Sequence, residues 1–87
     1  MNNTEKRVQL GDRGRMASVS SFQGYALFHL RRYFWSEEKN MFIPTRHGLT
    51  LNFSEFVKLK DSLLYLEEEF KKLEANGVQL EKNVNQY

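Results

Sequence analysis

The chain has 87 residues and a formal net charge of +2, from 13 Lys or Arg against 11 Asp or Glu, and it contains no cysteine. A chain this short supports one small domain with a thin core, since it buries only about 60–65% of the surface it exposes when unfolded. Disulfide frameworks and thiolate metal sites are excluded, and no apolar run approaches the ~18 residues that a transmembrane helix requires.

The charge is unevenly placed. Residues 1–48 hold eight Lys or Arg and four acids, whereas residues 49–87 hold five and seven. The first part can attract a polyanion; the second cannot. The start of the chain, MNNTEKRVQL, lacks the apolar segment of a secretory signal. An intracellular protein is therefore expected.

Residues 1–7 are polar and expected to be flexible. Val8 to Leu10 alternates briefly before Gly11 and Gly14, which suggests a short strand and a turn. Met16 to Val19 is a second short extended segment. Gly24 can adopt positive φ, so SSFQG reads as the approach to a tight turn. Tyr25 to Trp35 is the clearest strand, rich in aromatics and free of Pro, Gly and helix caps. Strand alternation places Ala26, Phe28, Leu30, Arg32 and Phe34 on one face. Tyr25, Leu27, His29, Arg31, Tyr33 and Trp35 fall on the other. Both faces are mixed, and a bulge near Arg31 to Tyr33 is expected. SEEKN reads as a polar turn. Met41 to Leu51 returns as a strand, and Pro44 within it predicts an edge position or a bulge.

Asn52 is a favoured helix N-cap, and Glu55 lies at capping-box spacing. Phe56, Leu59, Leu63, Leu66, Phe70 and Leu73 follow at alternating steps of three and four residues. They form one apolar seam on a helix that Asn76-Gly77 ends. A helix of about 24 residues spans roughly 36 Å, too long for a small sheet to cover. A second copy of the chain is the simplest cover. Phe56, Leu59, Leu63, Leu66 and Phe70 are the expected dimer interface. In the Glu67 to Lys72 run, the pairs Glu67–Lys71 and Glu68–Lys72 are expected along a solvated helix face. Residues 77–87 form a polar tail, which leaves residues 8–76 as the single functional domain.

The stretch Ser20 to Trp35 interleaves rings with two adjacent arginines. An aromatic side chain stacks on any base without reading sequence, and arginine adds phosphate contacts. Alternate strand positions repeat about every 6.6–6.8 Å, close to the spacing of splayed nucleotides. Phe28, Tyr33 and Phe34 equally suit an aromatic core. No nucleophile sits beside a base, and there is no Gly-rich phosphate loop and no carboxylate pair in an apolar setting, so no enzyme is expected. His29 and His47 lack nearby Cys, Asp or Glu partners, so neither a metal nor a cofactor is expected.

VSSFQGYALFHLRRYFW, then MFIPTRHGLTLN, then a helix opening FSEFVKLKDSL, resembles the C-terminal domain of the transcriptional coactivator p15 family, also called positive cofactor 4. The ordered set carries the resemblance: Phe22 and Gly24; Arg31 with Tyr33 and Phe34; Pro44, Arg46 and Gly48; Leu49, Leu51 and Asn52. It covers about residues 8–74. The resemblance implies an α+β fold, a curved four-stranded antiparallel sheet followed by one long C-terminal helix, paired as a homodimer. It implies binding of single-stranded DNA, with RNA and melted duplex as compatible ligands, transcription machinery as a partner, and no membrane. Phe22 falls on the family's stacking Phe, Arg31 on its strand cation and Arg46 on its loop Arg. His47 replaces a usual Lys. Phe34 falls on the stacking Trp, but this chain has its Trp one place later, so Phe34 and Trp35 are rivals. Gln23 and Tyr25 stand where lysines are usual, which removes phosphate contacts that Arg7, Arg13, Arg15 or Arg32 could replace. The alternative reading is a protein-interaction module dimerised by its helix, with no direct contact to nucleic acid.

Overall fold

The computed structural model describes residues 5–82. Strands β1 (Lys6–Gln9), β2 (Arg15–Phe22), β3 (Tyr25–Ser36) and β4 (Met41–Leu51) precede one helix, α1 (Phe53–Ala75). The strands form one curved antiparallel sheet in the order β1-β2-β3-β4, each pairing with its neighbour in sequence. The α+β architecture expected from the sequence is the one observed. β1 starts at Lys6, so Lys6 and Arg7 belong to the sheet rather than to a flexible leader, and residues 1–4 lie outside the described residues. β2 is longer than the four residues expected and runs on to the turn.

The β2–β3 hairpin closes through Gln23 and Gly24, both at positive φ (52° and 83°). A two-residue loop of this kind matches the natural twist of the strands and sets their register. Phe22 therefore faces Tyr25, and outward from there Ser20 faces Leu27, Ser18 faces His29, Met16 faces Arg31 and Arg15 faces Arg32. β4 is an edge strand, as Pro44 requires. Its register shifts between Arg31 and Tyr33: Arg31 pairs with Gly48, but Tyr33 pairs with Pro44. Thr45, Arg46 and His47 thus stand opposite Arg32 alone. The bulge expected on β3 is absorbed by β4, and β3 keeps its alternation through to Trp35. Gly48 permits the close approach at this point, since a Cβ there would lie 2.6 Å from the Leu30 carbonyl oxygen.

α1 opens with the expected capping box: Asn52 Oδ1 accepts from the Glu55 amide at 2.9 Å, and Glu55 Oε1 accepts from the Asn52 amide at 3.0 Å. Asn76 caps the other end, and Gly77 follows at φ +94°. The helix covers only one end of one sheet face. Phe56 packs on Phe28 with ring centroids 4.9 Å apart, and Leu59 is half-buried behind it. Farther along, Leu63, Leu66 and Phe70 are 52%, 44% and 59% exposed. The ion pairs of the acidic run are Glu68–Lys71 (3.7 Å) and Glu69–Lys72 (3.2 Å), spaced three residues apart and not four as expected.

Among the apolar side chains of the described residues, only Met16 and Tyr33 are buried. Among those residues, no helix is long and apolar enough to cross a membrane.

Candidate nucleic-acid interface

Cross-strand partners share a face, and successive pairs alternate between faces. Val19 and Phe28 belong to the face that α1 covers, which we call the helix face. The far face carries Arg7, Gln9, Met16, Ser18, Ser20, Phe22, Tyr25, Leu27, His29, Arg31, Tyr33 and Trp35 in register. Its central part is fully engaged. The Arg7 guanidinium sits over the Tyr33 ring at 4.8 Å, and Tyr33 Oη donates to Glu5 Oε2 at 3.3 Å. A ring on β3 that reaches β1 shows the sheet curling toward the far face. Burial, reinforced by the neighbouring Glu5 carboxylate, pushes the Tyr33 phenol above its usual range, against the pull of Arg7.

Next to this closed patch runs a line of polar contacts. His29 Nε2 meets Ser20 Oγ at 2.8 Å, and His29 Nδ1 meets Thr50 Oγ1 at 3.1 Å. Arg31 donates through Nη1 to the Thr45 carbonyl at 3.1 Å and through Nη2 to Thr50 Oγ1 at 3.4 Å. These bonds use part of the guanidinium's five donors and leave others for a ligand. His29 is therefore a hydrogen-bonded strand residue that joins β2, β3 and β4.

The two ends of the far face differ from its middle. Phe22 and Tyr25, at the hairpin, are 62% and 73% exposed. Trp35 at the other end is 48% exposed and meets Phe42 edge-on at 5.2 Å. Tyr25 and Trp35 lie ten residue steps apart on β3, roughly 33 Å of strand at about 3.3 Å per step. Rings thus flank a polar, arginine-bearing floor over a length that suits about five extended nucleotides.

Of the residues singled out from the sequence, Phe22, Tyr25, Arg31 and Trp35 come together on this face. Gln23 stands at the apex of the hairpin, and Arg46 projects from the β4 bulge. Phe34 pairs with Ile43 on the helix face, away from Arg31. His47, in the β4 bulge, lines a groove with Leu30, Arg31 and Arg32, so of the four far-face residues it is near Arg31 alone. Sequence reading missed the His29 contacts, the Arg7–Tyr33 pair and the partnership of Arg15 with Arg32. Counting outward from Gln23-Gly24 would have found the last of these, because a two-residue turn sets every β2–β3 pair.

A curved four-stranded antiparallel meander closed by a capped helix, with rings and arginine on one face, defines the class of molecule. The family model for Transcriptional Coactivator p15 (PC4) matches residues 8–62, and the chain belongs to that family. A Caenorhabditis elegans protein described as a "Putative RNA polymerase II transcriptional coactivator" is 29% identical over 56 residues, which is 64% of this chain and 45% of that protein. The chain thus aligns with a little under half the length of this relative. The matched family segment contains the sheet from Val8 onward and close to the first half of α1, and Leu63, Leu66 and Phe70 lie just beyond it.

Proposed function

We propose that this protein is a homodimer that binds single-stranded DNA without strong sequence preference and acts in transcription regulation, in the nucleus where the source is eukaryotic. The observation that carries this reading is the sharing of one face by Phe22, Tyr25, Arg31 and Trp35, with three of the four presented as exposed rings. Stacking on such rings is worth about 1–3 kcal/mol per base and is indifferent to base identity. Arg31 and Arg46 supply the phosphate contacts, so binding falls as salt rises. Nothing in this role calls for a catalytic group. Residues 6–76, the four strands and the helix with its cap, are the binding and dimerisation unit.

Dimerisation is supported by what one chain leaves undone. A seam of Leu63, Leu66, Phe70 and Leu73 is exposed on a helix that packs on the sheet through Phe56. Exposed apolar patches of this extent mark interaction surfaces, and a second copy offers a self-complementary cover.

The test is titration of oligo-dT and matched duplex at several salt concentrations, read through Trp35 fluorescence, with the mass of the complex measured alongside. Quenching by the single strand, a steep salt dependence and a two-chain mass are expected. Phe22→Ala with Arg46→Ala should weaken binding roughly 10- to 100-fold and leave the dimer intact, from one stacking and one phosphate interaction. A dimer that binds no strand even at low salt would leave the second reading, an interaction module held by its helices, which the exposed seam also favours.

A further inference from the structure

The helix face holds a second basic feature, built by the β2–β3 register. Arg15 and Arg32 are direct cross-strand partners. Like charges placed opposite each other on one face oppose folding. Neither guanidinium forms an ion pair with a carboxylate among the described residues. The two arginines flank a groove of about 370 Å³ lined also by Leu10, Leu30, Arg31 and His47. No acidic residue and no residue of α1 lines it. Leu10 and Leu30 make an apolar floor, 49% and 36% exposed. Both side chains are exposed, so an anion can reach the space between them.

The groove connects to the candidate interface through Arg31. That side chain lines the groove and also donates to the Thr45 carbonyl and Thr50 Oγ1. Arg46 and His47 occupy the bulge between the two sides. A polyanion leaving the far face past Arg31 therefore meets Arg46 at the β4 bulge and then the Arg15–Arg32 pair. Arginine suits phosphate here because its planar fork binds two oxygens at once.

We propose that the Arg15–Arg32 groove is a second subsite for the same nucleic-acid strand. It takes a phosphodiester between the two guanidinium groups and a sugar or base edge against Leu10 and Leu30. This inference rests on the single-strand-binding reading above. It adds that the bound strand is longer than the far face alone can hold and bends around the β4 edge.

The experiment compares oligo-dT of about 6 and about 20 nucleotides, lengths within and beyond a single site of this kind, on the full chain and on Arg15→Gln/Arg32→Gln. The variant should bind the long strand about tenfold more weakly at 50 mM salt. Its slope of log affinity against log salt should be shallower by about 0.7 for each phosphate that the protein no longer neutralises. Binding of the short strand should not change. A third protein, Arg32→Glu, places opposite charges across the strands. It should melt at a higher temperature than the parent when free, yet lose affinity for the long strand. Equal losses on both lengths, no loss on the long strand, or a lower melting temperature for Arg32→Glu would each overturn the proposal. So would a homodimer loosened by Arg15→Gln/Arg32→Gln with the nucleic-acid slope intact, which would give the groove to a protein partner. If the parent chain binds neither length, the single-strand reading itself falls. If the parent binds both and the double variant matches it, only the second subsite falls.

Discussion

The two faces of the sheet come from the same four strands but are completed differently. On the far face one chain suffices. Met16 and Tyr33 are buried, Ser18 is buried with them, and no buried side-chain nitrogen or oxygen among the described residues lacks a hydrogen-bond partner. On the helix face one chain does not suffice. α1 reaches Phe28 with Phe56 and then runs on with its apolar seam in the open. The lesson is that a small domain can close one surface by curling it and leave the helix seam of the other uncovered, because its length cannot fill two cores. The closed face then becomes a stiff platform, with its exposed rings, Phe22, Tyr25 and Trp35, kept at the ends, outside the buried patch.

The sharpest way to break this comparison is to charge the open seam. If the proposed homodimer covers the seam, Leu63→Asp with Phe70→Asp should abolish it and lower stability by roughly 3–5 kcal/mol or more, since burying unpaired carboxylates at an interface is strongly unfavourable. Sedimentation and urea denaturation as a function of protein concentration check this. A stable folded monomer with unchanged melting would show that the helix face needs no cover. A smaller loss is expected from the closed face. Met16→Ala leaves a cavity in the buried far-face patch and should cost about 2–4 kcal/mol. That loss should not depend on protein concentration if the far face is completed within one chain.

Much of the fold was legible because local signals agreed with the global pattern. Asn52, Glu55 and Asn76-Gly77 bounded the helix, and Gly24 set the hairpin. The β2–β3 pairing followed from that hairpin alone. The β3–β4 pairing did not, because three residues of β4 oppose Arg32 and only tertiary contact decides where such a bulge falls. That bulge separates the rivals at the end of β3. With β3 regular, Trp35 keeps company with Arg31, and Phe34 turns to the helix face. The exposure of the helix seam was foreseen, but the share of it used within the chain was not: Phe56 and Leu59 pack at home. Lys6 and Arg7 looked like leader residues because charged side chains hide strand character on an edge. Their place in β1 is set by pairing with Ser18 and Val19.

The finest test concerns the closed face itself, through Tyr33. Its phenol is pushed above the usual range by burial first and by Glu5 second. A raised value in the fold means that the neutral phenol is favoured by folding. The resulting stability is complete below the unfolded value of about 10 and is lost as pH rises past it toward the higher folded value. Tyr33→Phe removes the titration together with the hydrogen bond to Glu5, which should cost about 0.5–1.5 kcal/mol at neutral pH. Parent and variant should therefore differ most near pH 7, and the gap should shrink as pH climbs above about 10. Urea midpoints of both proteins from pH 7 to 11 measure it. A gap independent of pH would mean that the phenol meets water freely and that the curl of the sheet does not seal it, which would erase the contrast between the two faces at its centre.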